Sequence, residues 1–236
     1  MHNVLCLHNK LFSSLILPTD SLVNKTHAPP SFDPSTAVVY DSFLSQEEAN
    51  LLEQEVAVRM KKRRYERGHW DAVILGYKEV ELGEGTVGNE VLAIMKRTRS
   101  FLEQQHHLVC NNTVEWLPCH AIDLKADGKL LAHVDSVRFS GDVVAGISLL
   151  STCIMRLQRH QHQQEEGFVD LLLPPRSLYV LKGTSRYEFT HEILNNGAVF
   201  VDTGGTGENN NNTTMTVSRE QRYSIIFRDA KAPEEE

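Results

Sequence analysis

No stretch of 18 or more apolar residues occurs in the chain, which excludes a hydrophobic membrane-spanning helix. A basic excess is also missing. The formal charge is −7, so the whole-chain electrostatics do not point to nucleic acid. The four cysteines (Cys6, Cys110, Cys119 and Cys153) form no Cys-x-x-Cys pair and no disulfide pattern. That usage suits a reducing compartment. No His-Glu-x-x-His helix is present, which removes the usual signature of a zinc hydrolase. Acidic residues are absent from the first nineteen positions.

What is present fits one globular domain with loose ends: 236 residues, 41% hydrophobic and 23% charged. Residues 1–36 read as a targeting segment followed by a linker. The acid-free start, with Lys10, Ser13, Ser14 and a short apolar run, is compatible with a mitochondrial transit peptide. It lacks arginine, so a disordered N-terminus is the alternative. Pro18, Pro29, Pro30 and Pro34 among polar residues give the linker. Ordered structure is expected from Ala37, in a domain spanning 37–229. A disordered insert is expected near 204–214, where Asn209 to Asn212 stand in a row, and an acidic tail over 230–236.

Ser45 followed by Gln46-Glu47-Glu48 is a capping box, and it predicts a helix running to about Met60. That helix ends in Lys61-Lys62-Arg63-Arg64. The run is either a phosphate-contacting patch or a set of cations favoured at a helix C-terminus by the macrodipole. A second helix is predicted over 87–106 from the spacing of Val91, Ile94, Met95 and Leu102. From Val114 the texture changes to short strands: 114–124, 143–149, 153–158, 168–173, 177–182, 186–193 and 222–228. The expected fold is mainly β with flanking helices, a jelly roll.

His133-Val134-Asp135 and the later His191 carry the chemistry. Two histidines and one carboxylate form the facial triad that holds non-haem Fe(II) and leaves positions open. On a strand, the i, i+2 spacing would place His133 and Asp135 on one face, about 7 Å apart along the backbone. In Arg222-Tyr223-Ser224-Ile225-Ile226-Phe227-Arg228, positions 222, 224, 226 and 228 share one face. Two arginines and a serine on a buried face are costly unless an anion meets them. A keto-acid co-substrate such as 2-oxoglutarate is such an anion, because the arginine fork matches a carboxylate. An edge strand with both arginines in solvent is the alternative.

Arg222-x-Ser224-x-Ile226-x-Arg228 resembles the Arg-x-Asn-x-Thr-x-Arg motif of the AlkB family of Fe(II)/2-oxoglutarate-dependent dioxygenases. Three collinear blocks strengthen the likeness to a mitochondrial branch of that family. They are Arg63-Arg64-Tyr65-Glu66 with His69-Trp70-Asp71-Ala72, His133 through Ser151, and Gly183-Thr184-Ser185-Arg186-Tyr187-Glu188-Phe189-Thr190-His191-Glu192-Ile193-Leu194.

The resemblance implies a double-stranded β-helix with Fe(II) on His133, Asp135 and His191. It implies 2-oxoglutarate among Arg222, Ser224 and Arg228, with dioxygen as the other co-substrate. Arg222 falls where the family pairs the distal carboxylate, and Arg228 falls nearer the metal-chelating end. Tyr179 matches a co-substrate contact; a core aromatic is the alternative. Ser224 and Ile226 replace the usual Asn and Thr. Ile122-x-Leu124 replaces an Asn-x-Tyr pair. Only Asp71 to Leu82, with Tyr77 inside and Trp70 at its edge, stands where DNA-repair members carry a base-gripping lid.

The resemblance therefore implies a monomeric hydroxylase of a protein or small molecule in the mitochondrial matrix, linked to fatty-acid metabolism and programmed necrosis after alkylation damage. Demethylation of RNA such as mitochondrial tRNA is an alternative, and so is a cupin-like metal-binding module without turnover. Duplex DNA is not the expected substrate. His160 and His162 read as a solvated turn rather than a second metal pair.

Overall fold

The computed structural model describes residues 16–68, 73–106, 114–160, 166–202 and 213–231. The transit-peptide reading, Trp70, His162 and most of the 204–214 insert and acidic tail lie outside them. In chain order the elements are β1 (Val23–Asn24), β2 (Ala37–Tyr40), α1 (Gln46–Met60), β3 (Ile74–Leu82), α2 (Asn89–Gln105) and β4 (Cys119–His133). Then come β5 (Ser140–Leu149), β6 (Cys153–Arg159), β7 (Phe168–Leu173), β8 (Leu178–Lys182), α3 (Gly183–Tyr187) and β9 (Phe189–Ile193). β10 (Ala198–Asp202), β11 (Thr213–Val217) and β12 (Arg222–Ala230) close the chain.

The strands run in the order β1-β7-β6-β9-β4-β12-β5-β8-β2, and all pairings are antiparallel; β3 also pairs β4. β4 joins the two halves. Its first part, through Leu124, pairs β12, whereas Leu130 and His133 pair β9. The long strand thus passes from one layer of the jelly roll to the other. Gly128 lies where β4 meets the bulge of β3 at Gly76. A Cβ on Gly128 would come within 2.8 Å of the Gly76 carbonyl oxygen, so the glycine permits close approach of two backbones. Asp127-Gly128, a turn signal in the sequence, is therefore not a break in the strand.

Two cores sandwich the β12 layer. Tyr223, Ile225 and Phe227 face α1 and α2, packing with Leu52, Val56, Ile94 and Leu102. Ile226 faces the barrel interior with Met155, Leu157, Leu171 and Phe189. Each fully buried aliphatic or aromatic side chain contributes about 1.5–3 kcal/mol. The α1 start is fixed as expected: the Ser45 Oγ accepts from Glu48 N at 3.2 Å, and Glu48 Oε2 accepts from Ser45 N at 2.9 Å.

Three expectations need correction. Residues 18–36 are not a free linker along their whole length. A 3-10 turn at Asp20–Leu22 leads into β1, which covers the edge of β7, and Phe32 packs edge-on against Phe189. The proline-rich composition concealed these few apolar anchors. The strand expected over 186–193 begins only at Phe189, because Gly183, at φ +50°, opens the short helix α3. β3, β10 and β11 were not foreseen. They alternate weakly between buried and exposed positions, so their period carries little signal.

Candidate metal centre

His133 ends β4 and faces His191 across the β4–β9 ladder, their ring centroids 4.2 Å apart. Asp135 lies two residues further on, in the loop to β5. The expectation that it shares a strand face with His133 is therefore wrong: the strand stops at His133, and the loop turns the carboxylate in. The ligand atoms of His133, Asp135 and His191 all lie within 4.8 Å of one another. The His133 Nδ1 sits 2.8 Å from the Leu131 carbonyl oxygen, which assigns the proton to Nδ1 and frees Nε2 as a lone-pair donor. Nε2 is 3.8 Å from Asp135 Oδ1.

The electrostatics suit a cation. Burial, aided by the charges of His133 and Arg228, lowers the His191 pKa from 6.5 to about 3. Its ring is neutral at physiological pH and able to ligate. Burial alone would raise the Asp135 carboxyl, but Arg228, His191 and His133 outweigh it and hold the group well below the usual carboxylate range. Arg228 reaches it from β12, with Nε to Oδ2 and Nη2 to Oδ1 both 3.3 Å.

Behind the triad lies a cavity of about 50 Å³, lined by Tyr179, Arg222, Ser224, Ile226, Arg228 and Met155 among others. β12 sits between β4 and β5, so the edge-strand alternative is excluded. Arg222 is 3% exposed. Its Nη2 donates to Ser148 Oγ at 3.3 Å, and its buried Nε has no hydrogen-bond partner among the described residues. A guanidinium buried with an unsatisfied N–H and, among the described residues, no carboxylate within ion-pair distance is what an anionic co-substrate would complete. Tyr179 is buried on the same wall, and burial raises its pKa; a Cβ at Gly146 would press within 2.6 Å of its hydroxyl. Ile122 and Leu124 also line the cavity, as apolar wall.

The cavity shares Ile74, Ile122, Leu130, His133, Asp135 and Arg228 with a wider mouth of about 530 Å³. Leu117, Tyr77, Val73 and Phe139 make that mouth largely apolar, with Glu79 on one wall. Sequence reasoning missed Leu117, Phe139 and Met155, which carry no pattern beyond hydrophobicity. Arg186, buried beside the Asp135 main chain, likewise carries no sequence signal of its role.

The donor set and the buried, incompletely satisfied arginine fit Fe(II) with a keto acid. No family model matches the chain. Solved structures share its fold. A Trichoplax adhaerens prolyl hydroxylase in complex with a hypoxia inducible factor oxygen degradation domain peptide fragment aligns with TM-score 0.56 at 12% identity, over 84% of each chain. A Pseudomonas putida prolyl-4-hydroxylase aligns with TM-score 0.54 at 16% identity, over 91% of this chain and 97% of that one. Sequence relatives are nearer. The mitochondrial alpha-ketoglutarate-dependent dioxygenase alkB homolog 7 of Mus musculus is 40% identical over 193 residues, 81% of this chain and 77% of the relative. Its Bos taurus counterpart is 37% identical over the same shares. The chain therefore belongs to the AlkB family of α-ketoglutarate (2-oxoglutarate)-dependent dioxygenases, in the mitochondrial homolog 7 branch.

Proposed function

We propose that this mitochondrial dioxygenase holds Fe(II) on His133, Asp135 and His191 and hydroxylates a protein or small-molecule substrate in the matrix. One observation carries the reading. The triad and both arginines of β12 line a single cavity, and His133, Asp135 and Arg228 also line the wider mouth.

Arg222, with Ser224 and Tyr179, is placed to receive the distal carboxylate of 2-oxoglutarate. Its contribution is orientation and charge matching. Arg228 keeps Asp135 ionised and lies nearer the chelating end. The bound iron would supply activation of dioxygen, so that 2-oxoglutarate, O₂ and R–H give succinate, CO₂ and R–OH. The apolar walls at Leu117 and Tyr77 would limit water at the reacting C–H bond. Of the described residues lining the mouth, the one lysine or arginine is Arg228, and it is committed to Asp135. A phosphate backbone would find little neutralising charge there.

Family resemblance alone supports the link to fatty-acid metabolism and programmed necrosis. A module without turnover is not retained, given the dioxygenase family. The test compares proteins from mitochondrial lysate incubated with intact protein and with His133→Ala, read by mass spectrometry for oxygen addition. Iron-ligand-dependent oxygen addition on a protein supports the reading, and addition or demethylation confined to RNA contradicts it.

A second reading, RNA demethylation, is favoured by one observation. Lys61 to Arg64 are exposed, and they lead into Glu66, which bridges to Tyr77 at the mouth. It requires RNA affinity that falls steeply with salt and with neutralisation of that run.

A further inference from the structure

Arg186 is 2% exposed, yet it lies in the five-residue helix α3, just before the strand that carries His191. Among the described residues no carboxylate lies within ion-pair distance of it. Its hydrogen bonds go to main-chain carbonyls of one short segment. Nη1 donates to Asp135 O at 3.0 Å, and Nη2 donates to Ser140 O at 3.3 Å and Ser136 O at 3.5 Å. Burying a guanidinium without a counter-carboxylate is costly. The three carbonyls on the planar fork offset part of that cost, while Nε has no hydrogen-bond partner among the described residues; a lysine cannot reproduce the arrangement.

The segment it grips is also held by main-chain bonds, Ser140 N to Ser136 O at 3.1 Å and Lys231 N to Phe139 O at 3.2 Å, but it buries little apolar surface. Val137 is 50% exposed and Phe139 is 64% exposed, so the β4–β5 loop has few buried apolar contacts of its own. Helix α3 is also tied to Thr36 and to the start of β5. Ser185 Oγ lies 2.7 Å from Thr36 Oγ1, and the Tyr187 hydroxyl donates to Asp142 Oδ1 at 2.7 Å. The loop carrying Asp135 is thus fastened to the element that leads directly into His191.

We infer that Arg186 is a positioning residue for the metal site: it fixes the main chain at Asp135 relative to His191, while Arg228 fixes the Asp135 side chain. Arg186 touches no ligand atom. Its effect passes through the loop, in the way groups surrounding a ligand set orient it. The inference rests on His133, Asp135 and His191 being the metal ligands.

Anaerobic Co(II) titration, followed by visible absorption, tests it in full-length protein. Arg186→Gln and Arg186→Lys are expected to weaken Co(II) binding about tenfold or more and to change the band intensities. Arg159→Gln, which removes an arginine paired with Glu188, is expected to change neither. Thermal unfolding of the metal-free proteins runs alongside. A folded Arg186→Gln with wild-type Co(II) affinity and spectrum overturns the inference, whether or not its melting temperature falls. Should Arg186→Gln fail to fold, Arg186→Lys carries the same test. His133→Ala separates the two levels. If it binds Co(II) like wild type, the ligand assignment itself fails. If it does not, while the Arg186 variants bind normally, only the positioning role fails.

Discussion

Arg228 lies across the carboxylate of Asp135, Nε and Nη2 each 3.3 Å from one oxygen. The pair ties the closing strand β12 to the loop after β4, and it sets the charge state of the site before any metal arrives. Arg228→Gln is expected to destabilise the metal-free protein by about 2–3 kcal/mol, less than the ~3–5 for a fully buried pair. The reason is that 27% of the Arg228 side chain reaches solvent. Urea unfolding measures this, and metal affinity should fall in parallel.

Arg222 predicts the opposite sign. Its Nε is buried without a partner among the described residues, so the metal-free fold carries the cost of a group kept for a ligand. Arg222→Met should leave metal-free stability unchanged or raised. It should weaken 2-oxoglutarate binding about 10- to 100-fold, from the ~1.5–3 kcal/mol of a hydrogen bond to a charged group. Calorimetry with 2-oxoglutarate and a redox-inert metal checks both arms.

Gly146 stands opposite Tyr179 in the β5–β8 pairing, and a Cβ there would meet the ring at 2.5 Å. Gly146→Ala should cost about 1–3 kcal/mol through overpacking. It should also displace Tyr179 toward the cavity, so co-substrate affinity falls while metal affinity changes little. Equal losses of both would point to general distortion.

The burial of His191 gives a pH signature. Its folded pKa, lowered to about 3, lies below the ordinary 6.5. Above pH 6.5 neither the folded nor the unfolded state carries the proton. As the pH falls from 6.5 toward 3, the unfolded chain binds it first, so stability is lost, by about 1.4 kcal/mol per unit from this group. His191→Asn should flatten the loss in metal-free protein between pH 6 and 5, measured by denaturant midpoints.

The sequence carried the outline of the site through chemistry rather than periodicity. Arg222, Ser224 and Arg228 alternate on one strand, and the structure points all three inward. β12 was readable because Tyr223, Ile225 and Phe227 alternate with them into a second core. Asp135 was misplaced because a two-residue spacing does not reveal that the strand ends at His133. Arg186 stayed unread because its partners are main-chain carbonyls, which no side-chain pattern encodes. β1 went unseen because a two-residue strand is set by the edge it covers.

The most direct test of the iron site is the absorption of the Fe(II)–2-oxoglutarate chelate under anaerobic conditions. A visible charge-transfer band is expected in the full-length protein, lost in His133→Ala and weakened at limiting 2-oxoglutarate in Arg222→Met. No band from iron-loaded protein, or an equal band from His133→Ala, would contradict the iron site.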